Sequence, residues 1–198
     1  MGKISAIVIG ASTGGPKAIE EILISLPNNL NVPIFIVQHM PKGITKGFAN
    51  RLNDKCKLNV VEAEDGMKIQ NNYVYIAPGG QHMEITSKDK IGLNMKPHVR
   101  GVRPSVDNLF ISASKIYKNQ LLGIVLTGMG KDGTDGVLEI KSRGGTVLVE
   151  SEETSIIYGM PKSAYETGKI DEVMPLQNIA KGIVSYVKGE HWCEHKWV

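Results

Sequence analysis

The chain alternates between short, continuous apolar runs and segments whose apolar residues recur at helical spacing. The apolar runs cover residues 4–9, 32–37, 73–76, 121–126 and 146–149. Helical spacing covers 16–26, 45–52, 105–117, the stretch up to 142, a short stretch after 161, and 176–187. Continuous apolar strands are typical of a sheet covered on both faces, and runs at 83–85 and 91–95 flank a polar turn. The pattern predicts a three-layer α/β fold: a doubly wound, mostly parallel sheet with one antiparallel hairpin.

Glycine-rich loops follow three of the predicted strands, at 10–16, 38–43 and 127–133. In a parallel sheet these loops emerge at the carboxyl ends of the strands, where ligands of α/β proteins bind. Their side chains can therefore meet in one crevice although they are far apart in the chain. We expect the functional site at this edge of the sheet.

The first loop contains the pattern G-x-S-x-G, with Ser12 between a strand and the start of a helix. A serine at such a turn is exposed, and the amides of the first helical turn can stabilise an oxyanion after Ser12 attacks a carbonyl. The loop also has simpler interpretations. Ser12 or Thr13 could cap the helix, or the loop could bind phosphate.

His39, in the second loop, is a candidate base, because an imidazole can take a proton from a serine near neutral pH. Asp132, in the third loop, would then orient the imidazole. With Ser12, the two residues would supply a nucleophile, a base and an acid.

The third loop also fits a different class of protein. Gly128, Gly130 and Gly133 form G-x-G-x-x-G after a strand, and Glu150 ends the next strand. This spacing is typical of a dinucleotide-binding module. Asp132 counts against that alternative, because a carboxylate inside the turn would repel a pyrophosphate.

Composition excludes several other classes. Lys and Arg number 23 against 20 Asp and Glu, without long runs of like charge, so nucleic-acid binding is not indicated. No apolar stretch approaches the roughly 18 residues of a membrane span, and we expect no membrane insertion. Cys56 and Cys193 are far apart and form no C-x-x-C, which argues against a disulfide framework and a cysteine zinc site. A cytoplasmic location is expected.

Five motifs then occur in a fixed order along the chain: IGASTGGP at 9–16, QHMP at 38–41, YIAPG at 75–79, RPSVD at 103–107 and LTGMGKDG at 126–133. In these motifs the chain resembles, over nearly its whole length, the catalytic domain of the CheB-type protein-glutamate methylesterases of bacterial chemotaxis. The resemblance implies a serine esterase with a triad of Ser12, His39 and Asp132 that needs no cofactor or metal. It also implies candidates for the oxyanion hole or substrate binding, namely Thr13, Gly14, Met129 and Gly130.

By the same resemblance, the substrate is a γ-glutamyl methyl ester on the methylated cytoplasmic region of a chemoreceptor, cleaved to glutamate and methanol. Deamidation of some glutamine side chains would use the same chemistry. Residues 1–188 are expected to form the catalytic domain and 189–198 a C-terminal tail. Family members commonly carry an N-terminal receiver domain, and we expect none in this chain. It would then be an isolated catalytic fragment or a stand-alone enzyme.

A few residues are assigned no part in the chemistry. In the tail, His191, Cys193 and His195 alternate, but we expect solvated side chains rather than bound zinc. Trp192 and Trp197 are expected to pack back on the domain or to form a contact. His82 is expected to be structural and His98 to have no role, while Arg103 and Ser105 could shape substrate binding at a helix N-terminus.

Overall fold

A seven-stranded sheet forms the centre of the molecule. The computed structural model describes residues 3–190. The strands are β1 (Ala6–Ala11), β2 (Ile34–Gln38), β3 (Asn59–Glu62), β4 (Tyr73–Ile76), β5 (His82–Ser87), β6 (Lys90–Asn94), β7 (Leu121–Val125), β8 (Thr146–Glu150) and β9 (Glu172–Met174). The sheet has the order β3-β4-β2-β1-β7-β8-β9, and every pair in it is parallel. β5 and β6 form the antiparallel hairpin. The predicted fold class is confirmed.

Helices cover both faces of the sheet. They are α1 (Gly15–Ser25), α2 (Thr45–Asn53), α3 (Val106–Tyr117), α4 (Thr134–Ser142), α5 (Met160–Tyr165) and α6 (Leu176–Lys188). The first core holds α1, α2 and α6, and the second holds α3, α4, α5 and the hairpin. Alternate residues of β1 enter opposite cores: Ile7 and Ile9 point into the first, Ala6 and Val8 into the second. This double burial explains why the strand is continuously apolar.

Two strands of the sheet, β3 and β9, are absent from the sequence prediction. Both lie at the edges of the sheet. Only one residue of each, Val60 in β3 and Met174 in β9, is fully buried. Edge strands are covered less than central ones, so the apolar runs that reveal the interior strands do not form there.

β1 lies between β2 and β7, and this position determines where the functional loops meet. The chain leaves β1 through α1 and returns as β2 on one side, whereas β7 pairs on the other side. The loops after β1, β2 and β7 therefore leave neighbouring strands at the same edge, at the point where the strand order reverses. Between residues 3 and 190, no helix is long and apolar enough to cross a membrane.

Candidate active site

The three glycine-rich loops meet at the carboxyl edge of the sheet, as the sequence predicts. His39 Nε2 lies 2.8 Å from Asp132 Oδ2, although the two residues are 93 positions apart. The His39 amide donates to Ala11 O at 3.1 Å, and the Ser12 amide donates to Thr127 O at 3.0 Å. Backbone hydrogen bonds thus fasten the Ser12 loop to the loops on both sides.

Asp132 is almost fully buried, with 4% of its surface exposed, at the N-terminus of α3. Its carboxylate accepts hydrogen bonds from Ser105 Oγ at 2.8 Å, Val106 N at 2.6 Å and Asp107 N at 3.0 Å. Burial alone would raise the pKa of Asp132. The bonds from His39, the two amides and Ser105 outweigh burial, so the pKa is lowered. Asp132 is therefore held as a carboxylate.

The tautomer of His39 follows from this carboxylate. An ionised carboxylate can only accept, so His39 Nε2 carries the hydrogen and donates it to Asp132. In the neutral ring, Nδ1 is then the acceptor nitrogen. The His39 side chain is 13% exposed, which leaves the imidazole accessible from the cleft.

Ser12 is held in place by close backbone packing. A Cβ on Gly128 would lie 2.7 Å from Ser12 Cβ, so the third loop can approach the serine only because residue 128 has no side chain. Gly14 adopts φ 84°, a left-handed conformation that favours glycine, and it ends the turn before α1. The side chain of Gln38 joins two of the loops, because its Nε2 donates to Ser12 O at 2.9 Å and to His39 O at 3.1 Å.

The backbone amides near Ser12 differ in their availability. Gly15 N donates to Ser12 O, and Gly128 N donates to Ile157 O. In the part of the chain that the structure describes, no backbone carbonyl accepts the amides of four other residues at this edge: Thr13, Gly14, Met129 and Gly130. These are the residues named in the sequence analysis as oxyanion-hole or substrate-binding candidates, and their amides are available to an anionic oxygen.

The dinucleotide-binding alternative does not agree with the structure. Glu150 is fully buried, and its two oxygens accept from Thr127 N at 2.8 Å and Thr154 Oγ1 at 3.0 Å. A ribose hydroxyl could not reach this carboxylate. Gly128 packs against Ser12 instead of facing an open phosphate site.

Several residues support the site without having been predicted to do so. Thr127 Oγ1 donates to Thr13 O at 2.9 Å and accepts from Ile157 N at 2.9 Å, which attaches residues 154–159 to the Ser12 loop. The sequence carries no signal for this contact or for that of Gln38. Such hydrogen bonds depend on which strands become neighbours.

The remaining histidines fall outside the reacting pair. His82 is fully buried, as expected of a structural residue; its Nδ1 accepts from Ser105 N at 3.2 Å, and its Nε2 lies 3.0 Å from Pro97 O. Burial lowers the pKa of His82. His98 and Arg103 line a cavity of about 300 Å³ beside His39.

His191 and His195, like Trp192, Cys193 and Trp197, lie outside the described residues. From residue 3 to residue 190, no cluster of three or more His, Cys, Asp or Glu is placed to hold a metal ion.

The chain is similar in sequence to the members of one protein family. The family described as CheB methylesterase matches residues 7–183. A protein-glutamate methylesterase/protein-glutamine glutaminase of Clostridium acetobutylicum is 55% identical, covering 94% of this chain and 54% of that protein. The protein of the same name from Pyrococcus abyssi is 46% identical, covering 92% of this chain and 50% of that protein. The chain thus spans about half the length of these curated relatives.

A solved structure gives the same result. The crystal structure of the Thermotoga maritima CheB methylesterase catalytic domain superposes with a TM-score of 0.88 at 42% identity. The match covers 91% of this chain and 97% of that domain. Because the family match runs through all three loops of the site and the fold agrees over nine-tenths of the chain, the chain belongs to the CheB methylesterase family.

Proposed function

We propose that this chain is a serine hydrolase that cleaves γ-glutamyl methyl esters on the cytoplasmic region of chemoreceptors, giving glutamate and methanol. The observation that supports this most strongly is the 2.8 Å hydrogen bond between His39 and the buried Asp132, next to the loop that carries Ser12. Relatives named protein-glutamate methylesterase/protein-glutamine glutaminase favour this ester over others. Residues 1–188 would form the catalytic domain.

In the proposed reaction, Ser12 Oγ attacks the ester carbonyl while His39 Nδ1 accepts the hydroxyl proton. Asp132 stays ionised and stabilises the imidazolium through Nε2. The amides of Thr13, Gly14, Met129 and Gly130 are the donors available to the oxyanion. As the intermediate collapses, the C–O bond to the methoxy group breaks, and His39 gives its proton to the leaving methanol.

Water then completes the cycle. Water attacks the acyl-enzyme while His39 accepts a proton from that water. His39 returns the proton to Ser12 Oγ when glutamate leaves. A glutamine side chain would follow the same course with ammonia as the leaving group. Deamidation therefore needs no additional group in the site.

The test is methanol release from a methylated chemoreceptor cytoplasmic fragment by the purified chain. Ser12→Ala removes the nucleophile, and we expect turnover to fall by at least about a thousandfold. Ser25→Ala is the matched control, because this exposed serine lies at the opposite end of α1, where its hydroxyl donates to Glu21 O at 3.0 Å. Full methanol release by Ser12→Ala would show that the proposed nucleophile is wrong.

A further inference from the structure

Two large apolar side chains are exposed beside the proposed nucleophile. Met129 is 69% exposed and Ile156 is 67% exposed. Met129 follows Gly128, which packs on Ser12, and a Cβ on Gly14 would lie 2.7 Å from Ile156 Cβ. Single exposed apolar residues are common on proteins. These two are distinguished by where they lie. Met129 directly follows Gly128, which packs on Ser12, and Ile156 lies close to Gly14, two residues after Ser12.

The loop that carries Ile156 is held firmly against the site. Gly128 N donates to Ile157 O at 3.0 Å, Met160 N donates to Gly128 O at 2.8 Å, and Thr127 Oγ1 accepts from Ile157 N. These bonds follow Ile156 in the chain, and on its other side Ser155 N donates to Ser151 O at 3.2 Å. Its exposure is therefore imposed by a fixed backbone, which is the arrangement expected of a contact residue.

Charge around the site gives the second observation. At the loops after β1, β2 and β7 and the helix turns that follow them, Lys17, Lys42, Lys46 and Lys131 are exposed. Of the carboxylates there, Asp132 is buried, and the exposed Asp135 is paired with Arg100 at 2.6 Å. Two exposed acids, Glu152 and Glu153, stand at the start of the Ile156 loop. Three of the four loops thus present cations to an incoming substrate, which is complementary to a segment rich in glutamate.

We propose that Met129 and Ile156 form an apolar contact surface for the helix that carries the ester. On a helix, the residues three and four positions from the reacting glutamate lie on the same face. When the ester reaches Ser12, those neighbours must lie over the surrounding loops. Apolar neighbours would cover Met129 and Ile156, and acidic neighbours would face the lysines. The proposal rests on the proposed function, because it concerns the substrate of the same site.

Binding can be measured without turnover in the Ser12→Ala chain, titrated with a methylated helical fragment of a chemoreceptor. Adding Ile156→Asp places a charge where an apolar contact is proposed, and we expect Kd to rise at least about tenfold, equivalent to about 1.4 kcal/mol. Ile24→Asp is the matched control. Ile24 is 40% exposed near the far end of α1, and its substitution should leave Kd unchanged. Ile156→Ala should fall between the two.

The outcomes separate this proposal from the proposed function. An unchanged Kd in Ile156→Asp, or an equal change in Ile24→Asp, overturns the contact surface even if the wild-type chain releases methanol. Methanol release by Ser12→Ala overturns the nucleophile even if Kd responds as expected. If the chain sediments as a dimer that Ile156→Asp dissociates, the surface binds a second copy and the proposal is wrong. Circular dichroism of each variant checks that the fold is retained.

Discussion

Two carboxylates at the start of α3, Asp107 and Asp132, hold their protons with different strength. Asp132 receives bonds from His39, Ser105 and two amides, and its pKa is lowered. Asp107 is as deeply buried, but within residues 3–190 its carboxylate accepts only from Gly136 N at 2.8 Å and Arg100 Nε at 3.3 Å. Burial raises the pKa of Asp107 to about 6, and the negative charge of Asp132 acts in the same direction. Asp132 is thus stabilised as a carboxylate, whereas Asp107 keeps its proton to a higher pH.

Replacing Asp107 by Asn should change how stability depends on pH. The folded chain binds the Asp107 proton more tightly than the unfolded chain does, so this residue makes the wild type less stable as pH rises from about 4 through 6. Asn keeps an acceptor for Gly136 N and carries no charge. The advantage of Asp107→Asn over the wild type in the free energy of unfolding should therefore be larger at pH 8 than at pH 5, by about 1.4 kcal/mol.

Urea unfolding of both proteins at pH 5 and pH 8 measures this difference. At pH 5 Asp107 is mostly protonated in the folded chain but already ionised in the unfolded chain, so part of the pH effect is present there and the rest appears by pH 8. Equal differences in the free energy of unfolding at the two pH values would show that Asp107 does not titrate in this range.

At the scale of the residue, the sequence indicates candidates for the chemistry but not the residues that hold them in place. Ser12, His39 and Asp132 were named because a nucleophile, a base and an acid each require a particular type of side chain. Gln38 and Thr127 act through hydrogen bonds to the backbone of other loops, for which many polar residues would serve. Only the folded arrangement identifies them.

At the scale of the element, the end of β2 and the start of α1 fit together at Gly15. A Cβ on Gly15 would collide with Gln38 Oε1 and would also lie 2.7 Å from Ala11 Cβ. The Gln38 amide donates to Ser12 O and His39 O, so displacement of this side chain would shift the backbone of the proposed nucleophile and of the proposed base together. The first turn of α1 is therefore coupled to the geometry of the site.

Gly15→Ala should lower kcat for methanol release by about 10–100-fold, because small displacements of reacting groups are costly. Gly47→Ala is the control: a Cβ there meets nothing within 4 Å, and Ala should stabilise α2 by up to about 1 kcal/mol while kcat stays unchanged. Steady-state kinetics with the methylated fragment and thermal unfolding of both variants provide the measurements. A fully active Gly15→Ala chain would mean that the contact with Gln38 does not position the site.

The elements themselves were predictable where burial is complete. Ser105 caps α3, since its side chain accepts from Asn108 N. The same hydroxyl donates to Asp132, which no local pattern indicates. Residues 151–159 were not predicted to join the site, because their attachment depends on Thr127 and on Glu150 in the neighbouring strand.

At the scale of the whole molecule, the site joins the two halves of the sheet. His39 follows β2, on the side of β4 and β3, whereas Asp132 follows β7, on the side of β8 and β9. Detachment of either half from β1 would separate the pair. The apolar runs predict the interior strands of the sheet, but the order that makes these loops neighbours is visible only in the folded sheet.

We therefore expect activity and global structure to be lost together. In increasing urea, methanol release and the circular dichroism signal should fall at the same midpoint, as in a two-state transition. Loss of activity at clearly lower urea would show that the site opens before the sheet does.

The separation of 93 positions between His39 and Asp132 also matters while the protein is being made. At roughly 5–20 residues per second, a ribosome needs roughly 5–20 s to add that stretch. Throughout this interval the growing chain already contains Ser12 and His39, but nothing orients the imidazole. A half-synthesised or prematurely terminated chain would thus carry Ser12 and His39 without the carboxylate that orients the imidazole, and we expect the proposed esterase activity only once Asp132 has been added and its loop has folded.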